Sequence, residues 1–259
     1  AFMFGDMPFT LLNGLYTLLE PFYNNPDYED LLFKWEGKPL VLVLENGKAI
    51  DLSAETEACA AMVVAGFGGE FGAKAIVETL AGDINPAGRL TVSYPRDEGM
   101  VPCYYTRLPG ASCDYLEGDR SPLYPFGHGL SYTTFEIHTE QTAPLAFRVT
   151  VTNTGSRAGK EVAQLYLSAP ESGMTKEYQS LAAFAKTAQL EPGQTEELEL
   201  TFDLRELTSY RERDGAFILD SGDYVLRLGN SSRNTVPVGV ITLKEEIIVS
   251  RHTAICPLR

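Results

Sequence analysis

The sequence predicts two parts of different fold class: a partial parallel α/β sandwich, followed by an all-β antiparallel sandwich. Residues 37–98 contain two apolar strand-like runs, each followed by a helical pattern, which is typical of parallel sheets. Residues 133–248 contain alternating apolar and polar runs bounded by turn residues, which is typical of antiparallel sandwiches. Between them, residues 99–132 are rich in aromatics but show no periodicity, and predict an ordered connector.

The first 36 residues predict an apolar helical segment. Leu11, Leu15, Leu18 and Phe22 recur at helical spacing, and the prolines of "EPFYNNPD" end the pattern. We expect this stripe to pack on a neighbouring domain or subunit. The segment lacks the basic region and cleavage site of a secretory signal. Because the chain begins with Ala, we expect it to be processed, cut from a longer precursor or shortened.

The α/β segment begins with a predicted buried strand. "PLVLVLENG" is a Val/Leu run without alternation, which favours a strand covered on both faces. A short helix in "AETEACAA" leads to a second strand near residues 62–65, and "GAKAIVETLAG" predicts a second helix. Because two strands do not make a stable parallel sheet, we expect this segment to be half of a domain.

The all-β part is predicted from five runs whose apolar residues alternate. In the first run, Phe147, Val149 and Val151 share one face. The runs are "LAFRVTVTNTG", "EVAQLYLSAP", "TEELELTFDL", "GAFILDSGDYVLRLG" and "VGVITLKEEIIV". Residues 249–259 then form a tail.

Composition restricts the partners. Lys and Arg number 21 against 35 Asp and Glu, which gives a net charge of −14. Such a surface repels phosphate backbones and anionic lipid, so we expect neither a nucleic acid nor a membrane partner. Four cysteines are too few for a disulfide scaffold in a chain of this length. Cys103 and Cys113 flank a loop and could pair, but unpaired thiols in a reducing compartment, and hence a cytoplasmic over a secreted location, are favoured.

Motifs for cofactor or metal chemistry are weak. "GFGGEFG" follows a strand, but its glycine spacing is one residue off the dinucleotide fingerprint, and Glu70 would stand where a pyrophosphate binds. Close packing of loop and helix is the expected use of these glycines, and we expect no cofactor. His128, His138 and His252 have no ligand or nucleophile partner at a recognised spacing, so no metal site is predicted. His128 is expected to be buried and hydrogen-bonded to backbone.

Six stretches, taken in order, resemble glycoside hydrolase family 3, whose members include β-glucosidases and β-xylosidases. They cover residues 37–232 and are "GKPLVLVLENGKAIDLS", "GGEFGAKAIVETLAGDINPAGRLTVSYP", "SPLYPFGHGLSYTTF", "VTVTNTGSRAGKEVAQLYL", "LEPGQTEELELTF" and "SGDYVLRLGNSS". The resemblance implies the latter part of an α/β sandwich domain plus a fibronectin III-like domain, with the catalytic barrel absent. It also implies that the aromatic connector, residues 123–135 above all, fixes one domain against the other.

The family's catalytic residues find no match. Its nucleophile is an Asp typically followed by Trp, whereas Trp35 here follows Lys34. The acid/base Glu should sit in a glycine-flanked loop upstream of "PLVLVL", and Glu20, Glu29 and Glu36 lie in other surroundings. We therefore predict no catalytic residue in this chain. Retaining hydrolysis needs two carboxyls about 5 to 5.5 Å apart.

Two hypotheses follow. In the first, which we favour, the chain is the non-barrel portion of a retaining β-glycosidase whose barrel lies on another chain or domain. In the second, it is a non-catalytic module that binds carbohydrate or protein. Partners under these hypotheses are the barrel, a second copy of the chain, and a saccharide. Arg107, Asp114 and Tyr115, in the loop over residues 103–120, are the predicted substrate-binding residues, because function concentrates on loops.

Overall fold

The computed structural model describes residues 34–35, 38–39, 41–106, 108, 119, 121–172 and 174–252. The predicted N-terminal helix and most of the tail lie outside these residues. The chain divides into two compact units. One comprises Ala1–Pro86, Tyr94–Val101 and Ser121–Leu123, and the other comprises Ala87–Ser93, Pro102–Arg120 and Tyr124–Arg259.

The first unit contains the predicted strand–helix–strand–helix order. Its elements are β1 (Lys34–Trp35), β2 (Lys38–Pro39), β3 (Val41–Leu44), α1 (Ser53–Ala58), β4 (Ala61–Val64) and α2 (Gly72–Ala81). β3 and β4 pair in parallel, from Val41 opposite Ala61 to Leu44 opposite Val64, whereas β1 and β2 pair antiparallel. The prediction of a parallel pair with helical connections is confirmed.

The prediction that the first strand is buried on both faces is wrong. In β3 only Val41 is buried, and the other three residues are partly exposed. Val41 and Val43 pack with Val63 of β4 and with Ile76 and Leu80 of α2, so the helix covers one face of the pair. Within the described part of the chain the sheet has two strands, and the opposite face therefore stays partly open.

The second unit is antiparallel throughout. Its strands are β5 (Phe135–Ala143), β6 (Ala146–Asn153), β7 (Val162–Ser168), β8 (Ser180–Lys186), β9 (Thr195–Thr201), β10 (Ser209–Arg211), β11 (Ala216–Leu219), β12 (Gly222–Gly229), β13 (Thr235–Leu243) and β14 (Ile247–Arg251). They form a three-stranded sheet in the order β5-β6-β9, a four-stranded sheet in the order β13-β12-β7-β8, and a three-stranded sheet in the order β10-β11-β14.

The inward faces of these strands form the main hydrophobic core. Phe147, Val149 and Val151 of β6 are fully buried, while Arg148 between them is exposed, which confirms the predicted alternation. They belong to the same cluster as Leu165 of β7 and Leu226 of β12, among others. The alternating pattern therefore forms an apolar layer between two sheets.

Strand β7 departs from the predicted alternation. Its first six residues are all buried, including Gln164 and Tyr166, which lie on the face opposite Leu165. β7 is an inner strand of its sheet, and its outer face is covered by residues from earlier in the chain. The alternation predicted for "EVAQLYLSAP" is therefore wrong, because both faces of this strand are covered.

No helix among the described residues is long and apolar enough to span a bilayer.

We expect Leu226→Ala to lower the free energy of unfolding of the sandwich by about 2–5 kcal/mol, since it opens a cavity between well-packed neighbours. Val236→Ala, on the edge strand β13 and 60% exposed, is the matched control and should change it by less than about 0.5 kcal/mol. Urea denaturation followed by circular dichroism measures both. Equal effects would contradict the placement of Leu226 in the core.

Candidate functional site

Three short segments of the second unit lie on the outer face of the four-stranded sheet. We call residues 87–93, 102–105 and 124–130 the connector layer. Two of its segments are joined by backbone hydrogen bonds: Gly127 N–H donates to the carbonyl of Leu90 (2.7 Å), and Leu90 N–H donates to that of His128 (2.8 Å). The layer thus holds segments that are distant in sequence side by side.

Gln164 of β7 ties the connector layer to the sheet. Its side-chain amide donates to the carbonyls of Gly127 (3.1 Å) and Asn230 (2.8 Å), and its Oε1 accepts from the Tyr166 hydroxyl (2.6 Å). Gly127 has a φ of +79°, and a Cβ there would overlap the Gln164 amide. Gln164 is 3% exposed, so its polar atoms rely on these partners rather than on water.

Aromatic rings fill the space beside Gln164. Tyr105 stacks on Phe126 with centroids 4.1 Å apart, and meets Tyr166 edge-on at 6.3 Å. Leu181 N–H of β8 donates to the Tyr105 hydroxyl at 3.2 Å. Burial, with a smaller contribution from Tyr105, raises the pKa of Tyr166 above its ordinary value. Tyr105 and Phe126 of the predicted connector therefore pack on this sheet face, where part of their large area is removed from water.

The stacked pair flanks the predicted substrate-binding residues in the sequence. Arg107, Asp114 and Tyr115 lie outside the described residues, so their placement remains a prediction. The loop leaves the connector layer just after Tyr105 and returns before Phe126, whose rings are in contact. The stack therefore brings together residues that precede and follow the undescribed positions in the sequence. Cys113 is likewise outside the described residues, and the expectation that it and Cys103 are unpaired thiols stays a prediction.

A buried ion pair joins the connector layer to the start of β7. A guanidinium nitrogen of Arg89 contacts Oε1 of Glu161, and these side chains are 8% and 6% exposed. The same carboxylate oxygen accepts from Val162 N–H (2.6 Å), and Glu161 N–H donates to the Thr187 hydroxyl (3.0 Å). Sequence reasoning missed this pair, because its members are 72 residues apart. The only signal was a charged residue directly before an apolar strand.

His128 is half-buried rather than fully buried. Its backbone N–H donates to the Pro125 carbonyl, while its ring stacks on Tyr124 at 5.4 Å. The described residues offer the ring no backbone hydrogen bond, so that part of the prediction is wrong. Burial lowers the pKa of His128, and the positive charges of Arg89 and Arg233 lower it further.

The glycine-rich loop of the first unit follows strand β4. A Cβ at Gly68 would lie 2.5 Å from the Cα of Gly72, which agrees with the predicted close packing of loop and helix. The same loop carries Phe67, Glu70 and Phe71, all exposed, and the two rings are 85% and 71% exposed. Phenylalanine is usually buried, so two rings this exposed on one short loop are unusual.

Sites for a metal or a small ligand are not evident elsewhere. Within the described ranges, no three His, Cys, Asp or Glu side chains are grouped to hold a metal ion. A shallow depression beside strands β5 and β13 has uncharged walls formed by Gln141, Thr142, Ala143, Pro144, Val240, Ile241 and Thr242. Such a lining offers hydrogen bonds but no acid or base.

Two known domain families match successive parts of this chain. Residues 32–132 match the Glycosyl hydrolase family 3 C-terminal domain, and residues 161–232 match the Fibronectin type III-like domain. The chain belongs to glycoside hydrolase family 3. The order of the two matches agrees with the α/β segment and the sandwich seen in the structure.

Relatives within family 3 are much longer than this chain. The periplasmic beta-glucosidase of Salmonella typhimurium is 35% identical over 199 residues, which cover 70% of this chain and 26% of that protein. A beta-xylosidase of Formosa agariphila is 32% identical over 209 residues, covering 76% of this chain and 29% of that protein. The structure of a beta-glucosidase from Paenibacillus barengoltzii superposes with a TM-score of 0.72 at 30% identity, over 83% of this chain and 27% of that one.

We expect Arg89→Met to lower the free energy of unfolding of the sandwich by about 3–5 kcal/mol, because it strands the buried Glu161 carboxylate. Combining it with Glu161→Leu should recover part of this loss, since the uncompensated charge is then gone. Urea denaturation of both single variants and the double variant measures the coupling.

The control for that cycle is Arg148→Met, whose partners Glu140 and Glu197 are exposed. It should cost no more than about 1 kcal/mol. A double variant that loses the full sum of the two single losses would contradict the buried pair.

The lowered pKa of His128 predicts a pH dependence. As the pH is lowered below the ordinary pKa of 6.5, the unfolded chain takes up a proton that the folded imidazole resists. The free energy of unfolding therefore decreases with decreasing pH until the pKa of His128 in the folded chain is reached. His128→Gln should flatten this part of the melting-temperature profile. His138→Gln replaces a histidine outside this site, at a 69% exposed side chain that contacts Glu136, and is the comparison variant. A profile unchanged by His128→Gln would contradict the desolvated ring.

Proposed function

We propose that this chain is the non-barrel portion of a family 3 glycoside hydrolase that acts on β-glucosides or related β-glycosides with retention. The observation that carries the proposal is the ordered pair of family matches on a chain spanning 26–29% of the length of the two glycosidases described above. The two-stranded parallel sheet, open on one face, supports it, since such a sheet needs further strands.

The ion pairs of the acidic side chains in the sandwich support the proposal that the catalytic acids come from outside this chain. A retaining enzyme uses one carboxylate as nucleophile and one carboxyl as acid/base, about 5 to 5.5 Å apart. The buried Glu161 is held by Arg89, and the largely buried Asp220 by Lys176. Asp214 and Glu246 share Arg211. These carboxylates are engaged in ion pairs that hold loops and strands together, and none has the desolvated, unpaired surroundings of a proton donor.

Within this proposal, the loop with Arg107, Asp114 and Tyr115 supplies contacts to the substrate. What supports this is the Tyr105–Phe126 stack, which brings together residues on either side of these positions in the sequence. A loop held at its base loses less conformational freedom when it closes on a ligand. The barrel, on another chain or domain, would supply the nucleophile.

The runner-up function is a non-catalytic module that binds carbohydrate or protein. It is favoured by the sandwich unit, because the described strands form its sheets and residues of these strands fill its hydrophobic core. The two functions differ in what accompanies the chain: the first requires a catalytic polypeptide, whereas the second does not.

We expect the purified chain to show no turnover of a chromogenic β-glucoside or β-xyloside, because its sequence offers no match to the family's pair of catalytic acids. Native material from the source cells should carry the chain in a longer polypeptide, or in a complex with one, that hydrolyses the same glycosides. Intact mass and subunit composition, measured with activity on the same fractions, test this. Native material consisting of the 28.4 kDa chain alone, without activity, would contradict the proposal and favour the module.

A further inference from the structure

The loop that follows strand β4 presents two aromatic rings to solvent. Phe67 and Phe71 lie four residues apart and are 85% and 71% exposed, with the exposed carboxylate of Glu70 between them in sequence. Single exposed apolar residues are ordinary on protein surfaces. We call the two exposed phenylalanines of the seven-residue loop between β4 and α2 the patch, since exposed apolar surface rimmed by polar residues marks interaction sites.

The loop stands at the edge of the parallel pair where ligands usually bind. β3 ends at Leu44 and β4 at Val64, and because the strands are parallel both following loops emerge at the same edge. Ala65 N–H donates to the Leu44 carbonyl at 2.9 Å, which extends the pairing into the loops. In open α/β sheets, ligands bind outside the carboxyl ends of the strands.

The Phe67 ring is held against the neighbouring loop. A Cβ at Gly47 would lie 2.6 Å from Cε2 of Phe67, so the ring rests where only glycine leaves space. The loop base is fixed in turn by the contact of Gly68 with Gly72 at the start of α2. An exposed ring on a rigid base loses little entropy when a ligand stacks on it.

The chemistry of the patch selects its ligand. The carboxylates of Glu70 and of the exposed Glu45 on the adjacent loop outnumber the exposed ammonium of Lys48 there, which disfavours phosphates, nucleotides and other anions. The mixture of apolar rings and carboxylate suits a neutral ring with one apolar face and hydroxyls at its rim. A pyranose has this character, because its axial C–H groups pack on the face of an aromatic ring and its hydroxyls donate to carboxylates.

We propose that the loop Gly66–Phe71 is a saccharide-binding loop, in which Phe67 and Phe71 pack on pyranose rings and Glu70 accepts hydrogen bonds from sugar hydroxyls. The choice of β-linked glucose or xylose as the sugar rests on the function proposed above. Nothing in the sugar-binding step depends on turnover, so the loop can be tested on the full chain by itself.

The test is titration of the full 259-residue chain with cellobiose and with xylobiose, followed by saturation-transfer NMR and calorimetry. We expect weak binding, with a dissociation constant on the order of millimolar, as fits a shallow solvent-exposed site. Phe67→Ala and Phe71→Ala should each weaken it about fivefold, the loss of one stacked ring. Glu70→Gln should weaken it about twofold, because the amide oxygen still accepts a hydrogen bond.

The matched control is Phe184→Ala, since Phe184 is a 66% exposed phenylalanine on β8 of the sandwich. It should leave the affinity unchanged. All variants alter exposed side chains, so melting temperatures close to that of the parent should accompany them.

Absence of saccharide binding, or equal effects of Phe67→Ala and Phe184→Ala, would overturn the proposal. So would self-association of the chain that Phe67→Ala abolishes, because the patch would then belong to a second copy. Failure of the proposed function is distinguishable: a chain that binds sugar through Phe67 but has no catalytic partner in native material supports this loop and contradicts only the glycosidase assignment.

Discussion

The sandwich depends on the burial of polar side chains on the outer face of strand β7. Gln164 and Tyr166 would be exposed on an ordinary antiparallel sheet, whereas here the connector layer covers them and supplies their hydrogen-bond partners. Leaving such groups unpaired costs more than forming the bonds gains. The connector layer and the sheet are therefore mutually dependent.

The Arg89–Glu161 ion pair also joins the connector layer to β7, and here the buried groups that need partners are charged. Removing two ions from water is costly, and their attraction offsets this only when the geometry is good and further hydrogen bonds are present. Glu161 has such bonds from Val162, which places the start of β7. The pair thus brings Arg89 of the connector layer to the start of β7.

Sequence patterns predicted the structure where a residue's environment is set by its neighbours along the chain. Phe147, Val149 and Val151 alternate because one face of β6 meets the core and the other meets water. Helix α2 was predicted from its apolar face and the glycine that follows it. The same reasoning failed at β7, because Tyr105, which contacts Tyr166, comes from a segment that periodicity does not connect to the strand. At His128 the ring stacks on Tyr124, within a segment that has no periodicity to predict from. The prediction for β3 was wrong in the opposite sense. Its apolar run predicts that both faces of the strand are covered, whereas the described residues cover one face.

The candidate site divides in a similar way. The glycine-rich loop was identified from its spacing and from the charge of Glu70, and the expected backbone packing is present at Gly68. The exposure of Phe67 and Phe71 was not predicted, because an apolar residue in sequence is assigned to a core by default. The prediction that the chain carries no catalytic acid rests on which residues flank Trp35 and the first strand, and it stays a prediction.

Amide hydrogen exchange at the connector layer tests the central claim most directly. If the layer is an integral part of the sandwich, the amides of Gly127 and Leu90, which bond across it, should exchange only through global unfolding, as slowly as those of the inner strand β7. In the Gln164→Ala variant their exchange should become much faster than that of β7. Rapid, loop-like exchange of both amides in the parent chain would contradict the account.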